Sequence, residues 1–372
     1  MIYDSPIDVR HTLHQNPEKT MQEYETTEYL FRVLSKVDGI TLHRPFLLGL
    51  VAEYKANDGD YLLFRADIDA LNIKEETGWE FASKNDCMHA CGHDVHAAIL
   101  YGLVLKVVEK SPDQNMLFFF QPAEEGGGGA QKTVDTGFFD RYAIRSSFAL
   151  HVNDDYPFGS VATNDQVLFA SAAEIDVLFQ GVGAHVAYPA EGKNTLLALR
   201  YFLDAVDRLP REVEKPFLFS AGKVVAGEVR NIQPAKALIN ASMRTVSIDE
   251  NNKMFNQIER MAEHIERLTG VEIRVNRLSV YPEVKIDKTL FDRVIPELQE
   301  RYHVLHAPLK MVGEDFGVFC QRYPSMLFWL GTRRESYYPL HHPKYLPSDD
   351  IIAIGTQFLY DLFTSLSNQR GL

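Results

Sequence analysis

The chain has 372 residues, of which 45% are hydrophobic and 24% are charged. This composition is that of a folded protein, and the length exceeds what one compact core usually organises, so we expect two domains. The formal charge of −13 at pH 7 argues against nucleic-acid binding, because phosphate contact needs clustered lysine and arginine.

The amino-terminal segment and the cysteines are typical of a cytosolic enzyme. Residues 1–6 show no basic segment followed by an apolar run, and no apolar stretch of the sequence is long enough to span a bilayer. Cys87, Cys91 and Cys320 do not form the dense, even set of a disulfide framework. We therefore expect cytoplasmic localisation, reduced thiols and no membrane partner.

Residues 5–37 carry apolar side chains at helical spacing, which predicts a pair of helices.

The first predicted strand ends in two carboxylates. Residues 61–66 are almost entirely apolar, as in a strand that is buried on both faces. Asp67 and Asp69 follow this strand and face the same way, so one of them could orient a metal-binding imidazole. Capping of a helix or turn is the alternative.

Residues 89–96 concentrate potential metal ligands. The sequence His-Ala-Cys-Gly-His-Asp-Val-His places three imidazoles, a thiol and a carboxylate side by side. Sulfur beside imidazole suits zinc or a comparable divalent ion, whereas magnesium and calcium sites are built from oxygens. The alternative is a helix start with a buried cysteine and surface histidines. A helix is predicted over residues 96–109.

Two further predicted strands precede polar side chains that could bind metal or move protons. Residues 116–120 lead to Glu124 and Glu125, and residues 147–150 lead to His151. Because the carboxyl ends of parallel strands meet at one edge of an open α/β sheet, we expect these groups to share one rim. Four glycines after the glutamates fit no nucleotide fingerprint. We interpret them as backbone that passes close to a metal site or substrate, with a flexible loop as the alternative.

A second domain interrupts this pattern. Residues 172–283 show elements in the order β-α-β-β-α-β, which predicts a ferredoxin-like arrangement. We therefore expect an α/β catalytic domain of residues 1–171 and 284–372, with an open, mostly parallel sheet and helices on both faces. The inserted domain of residues 172–283 is expected to be α+β.

A pair of histidines completes five candidate ligands. Pro343 biases the residue before it towards extended geometry, so only one of His341 and His342 is expected to face a metal. A four-coordinate structural zinc would not use five donors, so a dinuclear site is the more economical interpretation. The candidates are Cys91, His93, Glu125, His151 and one of His341 or His342.

Two chemistries are open for this set. Glu124 and Glu125 are adjacent, so one can bind metal while the other acts as general base on a hydroxide shared by two ions. Alternatively, Cys91 could be a nucleophile activated by His93 or His151, as in a thiol hydrolase. The surrounding residues are of types that bind metal, and they favour the metal site. A thiolate bound to a metal is fixed in place and is a weaker nucleophile.

Several motifs resemble one known family, in the right order and over nearly the whole chain. They are residues 65–71, 89–96, 120–126, 150–152, 183–189, 313–316, and His341 with Pro343. With these motifs the chain resembles the dinuclear metallohydrolases of the aminoacylase and carboxypeptidase G type, in the hippurate hydrolase branch. The resemblance implies two divalent metal ions, with zinc, manganese, cobalt or nickel as candidates, and an N-acetyl amino acid as substrate.

The resemblance also assigns roles to individual positions. The family pattern leaves one residue between the last ligand and the proline, which selects His341. Glu124 is the implied proton acceptor, and Asp69 the implied carboxylate that orients a ligand. The implied metal ligands are Cys91, His93, Glu125, His151 and His341.

In such relatives the inserted domain forms a homodimer interface and a lid. The resemblance implies that His185 reaches the neighbouring subunit's site and that Asn231 and Arg244 contact substrate. Arg244 suits a carboxylate through a two-pronged hydrogen bond, although a structural ion pair is the alternative. A surface histidine without a role is the alternative for His185.

Within the branch, residues 13–18, 313–317 and 323–331 resemble bacterial deacetylases of the acetylated route to lysine. The implied reaction is hydrolysis of N-acetyl-LL-2,6-diaminopimelate to LL-2,6-diaminopimelate and acetate, by a metal-bridging hydroxide with Glu124 as base. A broader N-acyl-amino-acid amidohydrolase and a non-catalytic metal-binding regulatory module are the alternatives. Distant members have a histidine where this chain has Asp67, so their metal preference does not transfer to it.

Overall fold

The computed structural model describes residues 3–209, 215–335 and 337–367. Met1 and Ile2, which begin the segment inspected for a targeting signal, lie outside these ranges. The strands are β1 (Thr41–His43), β2 (Leu50–Tyr54), β3 (Tyr61–Asp67), β4 (Asn115–Gln121), β5 (Ile144–Pro157), β6 (Val161–Thr163), β7 (Val167–Phe169), β8 (Ser171–Gln180), β9 (Ala184–His185), β10 (Phe217–Ala226), β11 (Ile232–Gln233), β12 (Lys236–Thr245), β13 (Glu272–Tyr281), β14 (Val284–Lys285), β15 (Val304–His306) and β16 (Ser325–Arg333). The helices are α1 (Pro6–Gln15), α2 (Tyr24–Leu34), α3 (His93–Lys110), α4 (Gly129–Val134), α5 (Thr195–Val206), α6 (Ile248–Thr269), α7 (Lys288–Gln299), α8 (Gly317–Cys320) and α9 (Asp350–Ser367).

The chain divides into two compact units. The first comprises Met1–Leu168, Lys285–Pro308 and Val318–Leu372. The second comprises Phe169–Val284 and Leu309–Gly317. Within the described ranges, no helix combines the length and apolar character needed to cross a membrane.

The first unit is built on an eight-stranded sheet in the order β1-β2-β4-β3-β5-β16-β6-β15. The central strands β4, β3, β5 and β16 are parallel, and β2 and β6 pair antiparallel on either side of them. Residues of β3 and β4 are buried along their whole length, because a strand in the middle of such a sheet is covered on both faces. The predicted open, mostly parallel α/β sheet is confirmed.

The predicted helix pair near the amino terminus is also confirmed. The hydroxyl of Ser5 accepts the backbone N–H of Asp8 at the start of α1, and the carboxylate of Asp8 accepts the backbone N–H of Ser5. This reciprocal cap, with Pro6 in the first turn, fixes where the helix begins. α2 then buries one apolar face that includes Leu30 and Val33.

The second unit has the predicted order of elements, β8-α5-β10-β12-α6-β13. Its sheet has the order β10-β12-β8-β13, with every neighbouring pair antiparallel. The first strand, β8, therefore lies between β12 and β13, as in a ferredoxin-like fold. Its apolar core includes Val177, Phe202, Ile239 and Ile258, contributed by strands and helices alike.

Candidate metal centre

The candidate site lies at the carboxyl ends of β3 and β4, which are parallel strands of the first unit. Glu124 and Glu125 follow the end of β4, as predicted. The prediction that a strand ends just before His151 is wrong, because β5 continues to Pro157. β5 stays extended because β16 keeps pairing with it after its pairing with β3 has ended at Ala149.

Cys91 and His93 flank a left-handed glycine at the start of α3. The helix predicted over residues 96–109 begins earlier, at His93, after Gly92 with a φ of +84°. A Cβ at position 92 would lie only 2.4 Å from Cγ2 of Val152. Glycine is therefore required by both its backbone conformation and the close approach of β5.

The five predicted ligands come together in two overlapping groups. Ligand atoms of Cys91, His93 and His151 lie within 4.8 Å of one another, and so do those of Cys91, Glu125 and His341. Nε2 of His341 lies 3.3 Å from Sγ of Cys91 and 3.3 Å from Oε1 of Glu125. Sγ of Cys91 also lies 3.5 Å from Nε2 of His151. Cys91 thus links the two groups.

The donor atoms in these groups fit a divalent metal. Nε2 of His93 and Oε1 of Glu125 are buried, 4.0 Å apart, and have no hydrogen-bond partner among the described residues. Nδ1 of His151 donates to the carbonyl of Val152 at 2.7 Å, which leaves the lone pair on Nε2 facing Cys91. Thiol, imidazole and carboxylate donors that face one another in this way are what zinc-like ions require.

Asp69 supports two of these candidate ligands. Nδ1 of His93 lies 3.0 Å from the backbone oxygen and 3.2 Å from Oδ1 of Asp69. Oδ2 of Asp69 accepts the backbone N–H of Glu125 at 2.9 Å and the hydroxyl of Thr20. A carboxylate behind an imidazole fixes its tautomer and direction, which is the role predicted for Asp69.

Asp67 is committed to other partners. Its Oδ2 accepts from Arg65 at 2.7 Å, and its Oδ1 accepts Nδ1–H of His96 at 2.6 Å. Nε2 of His96 in turn accepts the backbone N–H of Val152 at 2.9 Å. Both nitrogens of His96 are therefore occupied, and the imidazole ties β3 to the residue after His151.

The electrostatics of Cys91 favour a metal ligand over a nucleophile. Burial, and then the carboxylates of Glu125 and Glu124, raise the pKa of the Cys91 thiol well above its usual range. A nucleophilic cysteine needs the opposite shift, whereas a bound cation stabilises the thiolate directly.

The pKa of His93 is set by its carboxylate neighbours. Burial alone would lower the pKa of His93, but Asp67 and Asp69 raise it to about 10.

Residues 122–129, which connect β4 to the start of α4 and include Glu124 and Glu125, form a loop in an unusual conformation, here called the glutamate loop. A ligand atom of Glu124 lies within 4.8 Å of those of His93 and Glu125. Ala123, directly before the pair, has a φ of +56°. Gly129 allows a close approach within the loop, because a Cβ there would lie 1.7 Å from the carbonyl oxygen of Pro122. A Cβ at Gly126 would meet nothing within 4 Å.

His341 is also held in a rarely adopted backbone conformation. Its φ is +68°, and its N–H donates to the carbonyl of Ala90 at 2.8 Å. Non-glycine residues of this kind persist only where the surroundings hold them, and they cluster at functional sites. The bond to Ala90 ties the His341 turn to the segment that carries Cys91.

The three substrate-binding candidates lie in the second unit. His185 lies in β9 opposite Ile232 of β11, and the backbone carbonyl of Asn231 accepts the N–H of Val186 at 3.0 Å. The side chain of His185 is exposed. Arg244 lies in β12, and burial lowers the pKa of its guanidinium.

Two residues that support the site were not found from the sequence. Thr20 donates to Asp69, and Glu23 accepts the backbone N–H of Ala123 at 2.8 Å. Both come from the loop before α2, where polar residues are common. Only the run of polar residues between two predicted helices could have drawn attention to them.

The fold and the site together define a metal-dependent hydrolase of the α/β type. The chain belongs to peptidase family M20/M25/M40, whose family model matches residues 63–365. The family resemblance identified from the sequence motifs is thereby confirmed.

Near-full-length relatives carry a more specific name. An N-acetyldiaminopimelate deacetylase from Streptococcus uberis is 34% identical over 360 residues, covering 93% of this chain and 94% of that protein. One from Listeria monocytogenes is 32% identical over 367 residues, covering 96% of this chain and 98% of that protein.

Solved structures share the whole fold. The YXEP protein of Bacillus subtilis, described as a dinuclear metal-binding peptidase of the M20 family, superposes with a TM-score of 0.83. It is 26% identical, and the match covers 99% of this chain and 98% of that one.

Proposed function

We propose that this chain is a metal-dependent deacetylase that hydrolyses N-acetyl-LL-2,6-diaminopimelate to LL-2,6-diaminopimelate and acetate. The observation that carries the proposal is the convergence of Cys91, His93, Glu125, His151 and His341, with Glu124 beside them. The names of the near-full-length relatives support the substrate. The same proposal places the reaction in the cytosol.

The proposed cofactor is a pair of divalent ions, with zinc, manganese, cobalt or nickel as candidates. When bound, such ions polarise the amide carbonyl and lower the pKa of water. The residues that would hold them are Cys91, His93, Glu125, His151 and His341. Asp69 would keep His93 directed at the ions.

Glu124 is the proposed general base. Its carboxylate accepts the proton of the attacking water and passes it to the nitrogen of the leaving amine, which departs as the C–N bond of the acetamide breaks. Because Glu125 is the neighbouring ligand, the base is held next to the reacting water. The proposal gives Glu124 no metal bond.

The second unit supplies the proposed substrate contacts. His185 lies on β9, and Asn231 lies directly before β11, which pairs with β9. Arg244 would bind a carboxylate of the substrate through a two-pronged hydrogen bond. We assign the lid and the homodimer interface to the inserted domain of residues 172–283.

One edge of its sheet suits a dimer interface. Among the described strands, β10 pairs only with β12, and it exposes Leu218, Val224 and Val225, with Lys223 as its one charged residue. The opposite edge strand, β13, carries charged residues such as Arg274 and Arg277. Charges protect a sheet edge from further pairing, whereas a long apolar edge invites it.

A substrate panel tests the proposed activity. We expect metal-reconstituted enzyme to hydrolyse N-acetyl-LL-2,6-diaminopimelate with a kcat/KM at least about tenfold above those for N-acetylmethionine and hippurate. Comparable values for all three would favour the broader amidohydrolase. No turnover of any of them by fully loaded protein would overturn the proposal and favour a metal-binding module.

A further inference from the structure

A buried carboxylate lies behind the glutamate loop. Glu23 has no exposed surface. Its Oε1 accepts two backbone N–H groups, from Met21 at 3.1 Å and from Ala123 at 2.8 Å. Its Oε2 has no hydrogen-bond partner among the described residues. The contacts of this side chain are therefore concentrated on one oxygen.

Both donors to that oxygen have left-handed backbones. Met21 has a φ of +62° and Ala123 a φ of +56°. Residues with a Cβ rarely adopt this conformation, and it persists only when surrounding contacts hold it. One atom of Glu23 thus holds two strained positions that are separated by 102 residues in the sequence (123 − 21).

Each of these positions borders the candidate site. Ala123 immediately precedes Glu124 and Glu125. Thr20, next to Met21, donates its hydroxyl to Asp69, and this hydroxyl oxygen lies 3.1 Å from the carbonyl oxygen of Glu125. The loop that contains Thr20 and Glu23 therefore contacts the backbone on both sides of Glu124.

We propose that Glu23 is a positioning residue for the reaction: it holds Ala123 in the left-handed conformation that directs Glu124 and Glu125 into the metal site. This inference rests on the proposed function, because it concerns the same two glutamates. The bond that links Glu23 to the two glutamates is the one that the backbone N–H of Ala123 donates to it, so the proposed effect passes through the backbone.

The proposal predicts which substitution is tolerated. Burial, and then the charge of Asp69, raise the pKa of Glu23 to about 7, so an uncharged group is acceptable at this position. Glu23→Gln keeps an oxygen that can accept both N–H groups. Glu23→Ala removes this oxygen, so the buried N–H of Ala123 and the partly buried N–H of Met21 lose their acceptor.

Glu18 provides a matched control. Its carboxylate also accepts two backbone N–H groups, from Glu25 at 3.2 Å and Thr26 at 2.7 Å, at the start of α2. Glu18→Ala therefore removes a similar pair of bonds from the same segment without touching the loop at Ala123. It should lower the melting temperature but leave the site unchanged.

The experiment combines three measurements on the full chain: hydrogen exchange of a peptide covering residues 122–130, zinc affinity by chelator competition, and kinetics on N-acetyl-LL-2,6-diaminopimelate. For Glu23→Ala we expect exchange at least about tenfold faster and zinc binding about 10–100-fold weaker. We expect kcat about 100-fold lower, with KM changed less than about threefold. Glu23→Gln should restore all three to near the wild-type values.

Exchange and zinc affinity within twofold of those of Glu18→Ala would overturn the proposal. If Glu23→Ala is not recovered folded, Glu23→Asp takes its place, because its shorter side chain cannot reach both amides, and the same outcomes apply. A wild-type protein without turnover would refute the proposed function, while exchange and zinc affinity would still decide the role of Glu23.

Discussion

Asp69 contacts His93 through two oxygens: Nδ1 of the imidazole lies 3.0 Å from the backbone oxygen of Asp69 and 3.2 Å from Oδ1 of its carboxylate. Nδ1 therefore carries a proton, and Nε2 is directed into the site. Oδ2 of the same carboxylate accepts the N–H of Glu125. One side chain thus sets the direction of an imidazole and the position of a neighbouring carboxylate.

Asp69→Asn tests this arrangement. An amide NH2 replaces one carboxylate oxygen and cannot accept the bonds that Thr20 and Glu125 now donate. We expect zinc affinity, measured by chelator competition, to fall about 10–100-fold. Asp113→Asn is the control, because Asp113 also accepts a side-chain bond, from Asn57, but in a surface turn. Equal zinc affinities for the two variants would contradict the role of Asp69.

Much of this site could be predicted because its residues are chemically unusual and follow buried strands. Cys91 and His93 stand in a run of imidazoles and a thiol, and Glu124 lies three residues after the end of β4 at Gln121. Glu23 could not be found in this way. Its contact with Ala123 spans 100 positions and depends on how two loops approach each other, which no local pattern records.

The length of β5 shows a second limit of the sequence. The sequence predicts a strand over residues 147–150 that ends just before His151. Pairing with β16 instead keeps β5 extended to Pro157. Tertiary pairing overrides local propensity in such strands. His151 reaches the site nevertheless, because pairing between β5 and β3 has already ended at Ala149.

Cys91 is expected to be a poor nucleophile. With the pKa of its buried thiol raised, iodoacetamide at about pH 7.5 should modify Cys320, which is partly exposed, at least about tenfold faster than Cys91. Mass spectrometry of the digested protein measures both rates.

Cys91→Ala should bind zinc at least about tenfold more weakly than wild type does. Rapid alkylation of Cys91 that parallels loss of activity, with zinc binding intact in Cys91→Ala, would support the thiol hydrolase.

His14 is expected to make stability depend on pH. Burial alone would lower its pKa, but Asp94 at 2.8 Å and Glu75 at 3.2 Å outweigh burial and raise the pKa to about 9. The folded-state pKa therefore exceeds the unfolded value of about 6.5. The resulting stability, about 3 kcal/mol, is fully present below about pH 6.5 and is lost as the pH rises through 9.

Denaturant unfolding of wild type and His14→Gln measures this effect. The difference in the free energy of unfolding should be larger at about pH 6 than at about pH 9.5. His264→Gln, at an exposed position on α6, is the control and should show no such trend. The same difference at both pH values would contradict a charged His14.

The edge strand β10 is expected to form the homodimer interface. Leu218→Lys with Val225→Lys places two charges along this exposed apolar edge, where they oppose pairing with a second sheet. We expect this double variant to sediment as a monomer at concentrations at which wild type is a dimer. Leu278→Lys, on the opposite edge strand β13, should remain a dimer. Loss of the dimer only in Leu278→Lys would assign the interface to β13.

The most direct test of the account is acetate release from N-acetyl-LL-2,6-diaminopimelate by Glu124→Gln, at a metal content equal to that of wild type. Glutamine keeps the size of the side chain but cannot accept the proton of the attacking water. Because Glu124 is proposed to act as base and not as ligand, we predict full metal binding and a kcat lower by about 10²–10⁴-fold. A kcat within tenfold of that of wild type at full metal loading would contradict the role of Glu124 as general base.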